Sequence, residues 1–337
     1  MKKIAKMMLM LLVFAVCIGA SGMLFANGQD EQSAAVDYPK GNLDFVAPAG
    51  AGGGWDLTIR TVAKALKDTG LVKVPMPVRN NPGAGGAVHL ASLQEMKGQD
   101  RTITVYSPPL ILTKLAGTTD LGYENVTPLA RLIADYACFV VSAKSPYNTM
   151  ADVMNALKKD IKSVKIGGIS SAGSMDHIQF LIMAKASGVK NLNQIDYVSF
   201  DDSAVAMVLG GHIDLFSTGL SEVATLIESG DLKALGQTAS HRVGTGVIAQ
   251  IPTCQEQGID ATFENWRGLF GPPEMPTYAV DYWRETLKKL VATPEWTKAK
   301  QTNGWDDAYM DAPDFQKFLG KVNQDYSEIL REIGMLK

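Results

Sequence analysis

The chain has 337 residues, 46% of them hydrophobic and 20% charged, with a formal net charge of −3. That length and apolar content are enough for a sizeable core and leave room for two domains. The near balance of acid and base argues against a nucleic-acid partner.

The first 26 residues differ in kind from the rest. Lys2, Lys3 and Lys6 form a positive start, Met7 to Ile18 is almost wholly apolar, and small residues follow up to Ala26. This pattern predicts a secretory signal peptide, too short and wrongly flanked for a membrane span, with cleavage after Ala26 and a periplasmic destination. A lipidated Cys17 is the alternative, although Phe14-Ala15-Val16 fits a lipobox poorly. Cleavage removes three lysines and no acid, taking the formal charge from −3 to −6. An anion site in the mature chain therefore has to be built from local dipoles. Residues 27–40 are polar and read as a leader.

Two glycine-rich turns follow, about thirty residues apart. Gly50-Ala51-Gly52-Gly53-Gly54-Trp55-Asp56 comes after the apolar run Leu43–Pro48. Asn80-Asn81-Pro82-Gly83-Ala84-Gly85-Gly86 comes after Val74–Val78. Each reads as strand, turn, helix start. Glycine lets the backbone approach a ligand closely and take positive φ. The helix end beyond offers unpaired N–H groups and a positive pole, which together attract an anion. Neither turn is a nucleotide loop. The dinucleotide fingerprint wants glycine where Trp55 or Val88 stands, and a P-loop wants Gly-Lys-Ser/Thr where Gly54 is followed by Trp55 and Asp56.

A helix starting at Asp56 carries Ile59, Val62, Ala63 and Leu66 on one face and ends at Gly70. Strands are expected at Thr102–Tyr106, Phe139–Ser142 and Lys165–Ile169. The last leads into a third strand–turn–helix junction, Ser170-Ser171-Ala172-Gly173-Ser174-Met175-Asp176-His177, whose helix closes near Gly188. Two amphipathic helices end the chain, one marked by Val280, Trp283, Leu287 and Leu290, the other by Phe315, Leu319, Val322, Tyr326 and Leu330. Short β-rich runs alternating with helices predict an α/β fold with largely parallel sheets. In the mature chain Cys138 lies in an apolar run and is expected as a buried thiol; a disulfide to Cys254 is the alternative. No catalytic constellation is evident. His89, His177, His212 and His241 lack metal-ligand spacing, and there is no nucleophile elbow and no Cys-x-x-Cys. Neither a cofactor nor a metal is implied.

Seven short motifs stand in one order along nearly all of the mature chain. Pro48 precedes Gly53-Gly54-Trp55-Asp56, with Arg60 four residues on. Then come Asn80-Asn81-Pro82-Gly83-Ala84-Gly85-Gly86, Gly173-Ser174-Met175-Asp176-His177 and Leu209-Gly210-Gly211-His212-Ile213-Asp214. Gly230-Asp231-Leu232-Lys233-Ala234-Leu235, Pro252-Thr253-Cys254-Gln255-Glu256-Gln257-Gly258 and Trp266-Arg267-Gly268-Leu269-Phe270-Gly271-Pro272 complete the series. This series resembles the solute receptors of tripartite tricarboxylate transporters, the Bug or TctC family of periplasmic binding proteins. The resemblance implies an α/β, type II periplasmic-binding-protein fold, two lobes with mixed sheets joined by a hinge. Lobe one is expected over 41–141 and 263–337, and lobe two over 142–262. It also implies a monomer that carries a small organic acid to a permease of one large and one small membrane subunit. This chain departs from the family pattern at Trp55, at Asn81 and at Phe200-Asp201-Asp202, which leaves the identity of the acid open.

The expected anion site lies between Gly53–Asp56, Gly83-Ala84-Gly85 and Ser171–Ser174. The N–H groups of Gly54, Trp55 and Gly173 are expected to donate to the ligand, assisted by the Ser171 and Ser174 hydroxyls. Asp56 is expected to brace its loop or cap its helix. Ser107 is expected on the cleft floor, with Phe200 and Thr218 on the second lobe. Two other readings remain open: a receptor that reports occupancy to a sensor kinase, and a hydrolase assembled from dispersed residues.

Overall fold

Short strands alternate with helices from the start, as the sequence predicts. β1 (Asp44–Ala47), α1 (Gly54–Asp68), β2 (Val78–Asn80), α2 (Ala87–Gln94), β3 (Thr102–Tyr106) and α3 (Pro109–Leu115) come first. β4 (Thr127–Ser142) follows, then α4 (Met150–Lys159), β5 (Ile166–Gly168), α5 (Met175–Ala186), β6 (Tyr197–Ser199) and α6 (Ala204–Leu209). β7 (Leu215–Gly219), α7 (Leu220–Glu228), β8 (Leu232–Gln237) and β9 (Glu264–Gly271) come next. α8 (Thr277–Val291), α9 (Pro294–Asn303), β10 (Asp306–Asp311) and α10 (Ala312–Glu332) close the chain. This computed structural model describes residues 37–200 and 203–337. The expected signal peptide, Cys17, most of the leader, and Asp201 with Asp202 lie outside the described residues.

Among the described residues ten strands join in one sheet, in the order β2-β1-β3-β9-β4-β7-β5-β6, with β8 and β10 also on β4. The sheet is mixed. β1 pairs with β2 and β3, and β5 with β6 and β7, in parallel. Every pairing of β4 is antiparallel. The expectation of largely parallel sheets holds at the two ends and fails in the middle, where β4 and β9 carry the chain between the halves.

β4 changes partners along its length. Thr127–Tyr136 faces β9, and Ala137–Ser142 faces β7 and β8. The chain returns beside this switch. Thr238 Oγ1 accepts from the Ala137 N–H at 2.9 Å and donates to the Phe263 carbonyl at 2.7 Å, so one side chain ties the two passages together. The expected strand Phe139–Ser142 is therefore only the last quarter of a 16-residue strand.

Three apolar clusters among the described residues hold the halves, one of them around Phe216 of β7. One packs Ile59, Val62 and Leu66 of α1 and Trp283 and Leu287 of α8 around Phe45 of β1. Another runs from Tyr106, Phe270 and Phe315 to Phe139 and Phe180. α1 begins at Gly54, earlier than expected, and Thr69 caps its end before Gly70, whose φ of +69° only glycine adopts readily. Cys138 and Cys254 are both free, buried thiols.

Trp283 is fully buried, meets Phe45 edge-on at 5.9 Å and donates from Nε1 to Tyr38 at 2.9 Å. Trp283→Ala removes the largest contact under β1 and is expected to cost about 3–5 kcal/mol, read as a lowered urea midpoint; a midpoint unchanged from wild type would show that this helix does not carry the core.

Candidate functional site

The first two turns meet because their side chains bind one another. The Gly52 N–H donates to Asp56 Oδ2 at 2.9 Å, while Arg60 Nε and Asn80 Nδ2 donate to Asp56 Oδ1 at 2.7 and 2.9 Å. Asn80 Nδ2 also donates to the Ala49 carbonyl at 3.0 Å. Asp56 thus clamps the end of β2 to the loop after β1. Burial by itself raises its carboxyl pKa, but Arg60, Gly52 and Asn80 together hold it below the ordinary value. Asp56 does not line the cavity described next.

In the second turn Gly83, Ala84, Gly85 and Gly86 all have positive φ, and the chain curls tightly. Tyr106 braces it by donating to the Gly86 carbonyl at 3.1 Å. Trp55 stands edge-on to Tyr106 and donates from Nε1 to Ser107 Oγ at 2.8 Å. Among the described residues no hydrogen bond engages the backbone N–H of Trp55, Ala84 or Gly85.

These segments line one wall of a cavity of about 400 Å³. Gly53, Gly54, Trp55, Gly83, Ala84, Gly85 and Ser107 all face it. The opposite wall consists of Ile169, Ser170, Met175, Asp176 and Glu222, with Asn265 and Arg267 of β9 between the walls.

Arg267 is 1% exposed and is the hub of the site. Nη1 donates to the Gly54 carbonyl at 2.7 Å and to Thr58 Oγ1 at 2.6 Å, and Nη2 donates to Asp135 Oδ2 at 2.6 Å. Ser221 Oγ donates to the same Asp135 oxygen at 2.7 Å. Glu222, in the first turn of α7, accepts the Gly54 N–H on Oε1 at 3.1 Å and the Thr218 hydroxyl on Oε2 at 2.5 Å. The positive end of α1 is thus partly occupied by a carboxylate of the protein's own.

Asp176, in the first turn of α5, is 2% exposed. Its Oδ2 accepts from the Ile169 and Ser170 N–H groups at 2.9 and 2.8 Å, while Oδ1 is buried without a partner. Burial first and the charge of Glu222 second push its carboxyl up to about 7, against the pull of its bonds from Ser170 and Ile169.

The remaining expected residues lie elsewhere. The Gly173 N–H donates to His177 Nδ1 at 3.1 Å and is spent inside the turn. Ser174 is buried beneath the turn with its Oγ unpartnered, and Ser171 accepts the Ser174 N–H on its carbonyl; neither lines the cavity. Phe200 packs on the cluster around Phe216, and Thr218 reaches the cavity only through Glu222. The reading from sequence passed over Asp176, Glu222, Asn265 and Arg267. The available signals were a lone arginine inside the apolar run Trp266–Phe270 and acids in the first turns of α5 and α7.

A family model described as "Tripartite tricarboxylate transporter family receptor" matches residues 59–335. A Cupriavidus necator protein described as "UPF0065 protein in gbd 5'region" is 25% identical over 311 residues, covering 91% of each chain. A TctC solute-binding protein from Polaromonas superposes with a TM-score of 0.63 at 26% identity, over 88% of this chain and 99% of that one. The R. palustris protein Rpa4515, solved with adipate, gives a TM-score of 0.79 at 20% identity, over 88% and 99%. The fold is the two-lobed, mixed-sheet fold of periplasmic binding proteins.

The position of Asp176 has a consequence for stability. Its folded-state pKa lies above its unfolded one, so the folded protein holds an extra proton between the ordinary carboxylate value and about 7. That contribution is full at the acid end of this window and is lost as pH rises through it. Asp176→Asn is expected to become more stable relative to wild type on going from about pH 5 to about pH 8. Urea midpoints of both proteins at the two pH values check this, and a constant difference between them counts against the perturbed carboxyl.

Proposed function

The chain belongs to the tripartite tricarboxylate transporter receptor family of periplasmic solute-binding proteins, and from that premise we propose that it captures a small organic acid between its lobes. It hands the acid to a tripartite permease made of a large and a small membrane subunit. The receptor is exported by its first 26 residues, works in the periplasm as a monomer and catalyses no reaction. Its lobes are residues 41–141 with 263–337, and residues 142–262. The partner switch in β4 at Tyr136–Ala137, beside the return at Phe263, supports a hinge there.

One observation carries this reading. Trp55, Ala84 and Gly85, held in two braced turns, line one cavity wall, and their backbone N–H groups have no acceptor from the protein. Unpaired amides on a rigid turn and at the start of a 15-residue helix attract a carboxylate and need little reorganisation to bind it. The adipate in Rpa4515 and the malate in MatC of Rhodopseudomonas palustris, proteins of the same fold, fit this chemistry.

Thermal unfolding of the protein, stripped of ligand by unfolding and refolding, tests the reading against mono-, di- and tricarboxylates and neutral sugars. A bound acid at a hundred times its dissociation constant adds about 2.7 kcal/mol and raises the midpoint. A shift with sugars and none with acids overturns the reading. Gly54→Ala tests the wall itself: the new methyl points into the Glu222 carboxylate and the Arg267 guanidinium. The variant is expected to lose binding at least tenfold with its circular dichroism unchanged, and wild-type affinity would remove this loop from the site.

A further inference from the structure

The first turn of α7 is tied to the opposite half of the molecule by two neighbouring side chains, and the two ties differ in kind. Ser221 Oγ donates at 2.7 Å to Asp135 Oδ2, a carboxylate fully buried beside the partner switch of β4. Glu222 reaches the start of α1, where its Oε1 accepts the Gly54 N–H at 3.1 Å. This side chain is 14% exposed and lines the cavity. The first tie is sealed in the core, and the second opens on the cavity.

The Glu222 carboxylate is closely seated. A Cβ at Gly54 would overlap Oε1, and one at Gly219 would come within 3.2 Å of it, so two glycines form its slot. Thr218 donates to Oε2 at 2.5 Å and steadies the carboxylate from its own half. The Gly54 amide is among those a helix cannot satisfy from within, and it stands at the positive end of 15 residues of α1. The bond across the cavity is therefore charge-assisted.

Breaking that bond strands no charge. Arg267 stays matched by Asp135 at 2.6 Å, whereas Glu222 is 3.8 Å from the guanidinium. Glu222 keeps Thr218, and both released partners belong to residues that line the cavity. Like charge favours the release: burial most, and then the charge of Glu222, raise the Asp176 carboxyl, and Asp135 feels the same repulsion on top of its own burial.

We infer that Glu222 is a latch: its bond to the Gly54 amide holds α7 against α1 by the protein's own contacts, and its release lets the two halves separate. This rests on the hinge proposed above at Tyr136–Ala137 and is independent of which acid the receptor carries.

The test is the distance between nitroxide labels on the two halves of the exported protein, read by pulsed electron paramagnetic resonance. Ala91→Cys on α2 and Val198→Cys on β6, both exposed, take the labels, while Cys138 and Cys254 are buried. One short population is expected with Glu222 in place. Glu222→Ala is expected to raise the ratio of long to short distances about tenfold or more, through the loss of one charge-assisted hydrogen bond. Thr218→Val removes the hydroxyl under Glu222 while keeping its shape, and is expected to move the ratio the same way by less. Circular dichroism reports whether each variant folds, and Thr218→Val carries the test if Glu222→Ala does not. Two populations in the parent, with a ratio unchanged in the variants, overturn the latch and keep the hinge. One short population in all three proteins overturns latch and hinge together. The carboxylate reading is decided separately, by the thermal shifts.

Discussion

A single buried guanidinium organises this molecule. Arg267 leaves water completely, which costs several kcal/mol unless its donors are met. Gly54, Thr58 and Asp135 meet its two terminal nitrogens, while Nε is buried without a partner, and these three come from the start of α1 and from the crossing strand β4. Removing one partner would strand a charge in the core, so the three elements are held as a set. The start of α1 therefore has a fixed direction, and the Gly54 amide opposite its bonded carbonyl points at α7. The same bonds leave no space for a Cβ at Gly54, where a methyl meets both Glu222 and Arg267.

Around that hub the cavity is assembled from loops that are rigid for identifiable reasons. Asp56 fastens the two glycine turns to each other, and Tyr106 and Ser107 support the second turn and Trp55 from below. Across the cavity Asp176 closes its own turn through Ile169 and Ser170, and Tyr197 donates to the Ser170 carbonyl at 2.6 Å while stacking on His177. A pocket preorganised in this way loses little conformational entropy when it closes on a ligand. Its walls stay distinct in chemistry: backbone amides on one side, acids on the other.

The join between the halves runs along β4 and β9. Thr238 links Ala137 to Phe263 at the point where β4 exchanges one set of partners for another. The Thr238 backbone joins them too, donating to the Ala137 carbonyl at 3.0 Å and accepting from the Phe263 N–H at 3.2 Å. The acids of α5 and α7 stand on one side of this join and the glycine turns on the other.

Much of the scaffold was legible in the chain alone. Thr102–Tyr106 is β3 residue for residue, the stripe Phe315–Leu330 lies along α10, and the turn at Gly83–Gly86 curls as its glycines require. Local rules suffice there, because periodicity and permitted φ are properties of neighbours in sequence. The long β4 was not legible, since Pro128 and Arg131 interrupt its first half and only pairing with β9 and β10 keeps it extended. The Gly54 and Gly173 amides read as ligand donors, yet Glu222 and His177 take them. Seven motifs in order were enough to identify the family, the two-lobed fold and the turns that face the cavity. The tertiary structure alone decided how Arg267 and Glu222 are matched there, because Arg267 meets Gly54, Thr58 and Asp135, and Glu222 meets Gly54, across more than a hundred residues of sequence.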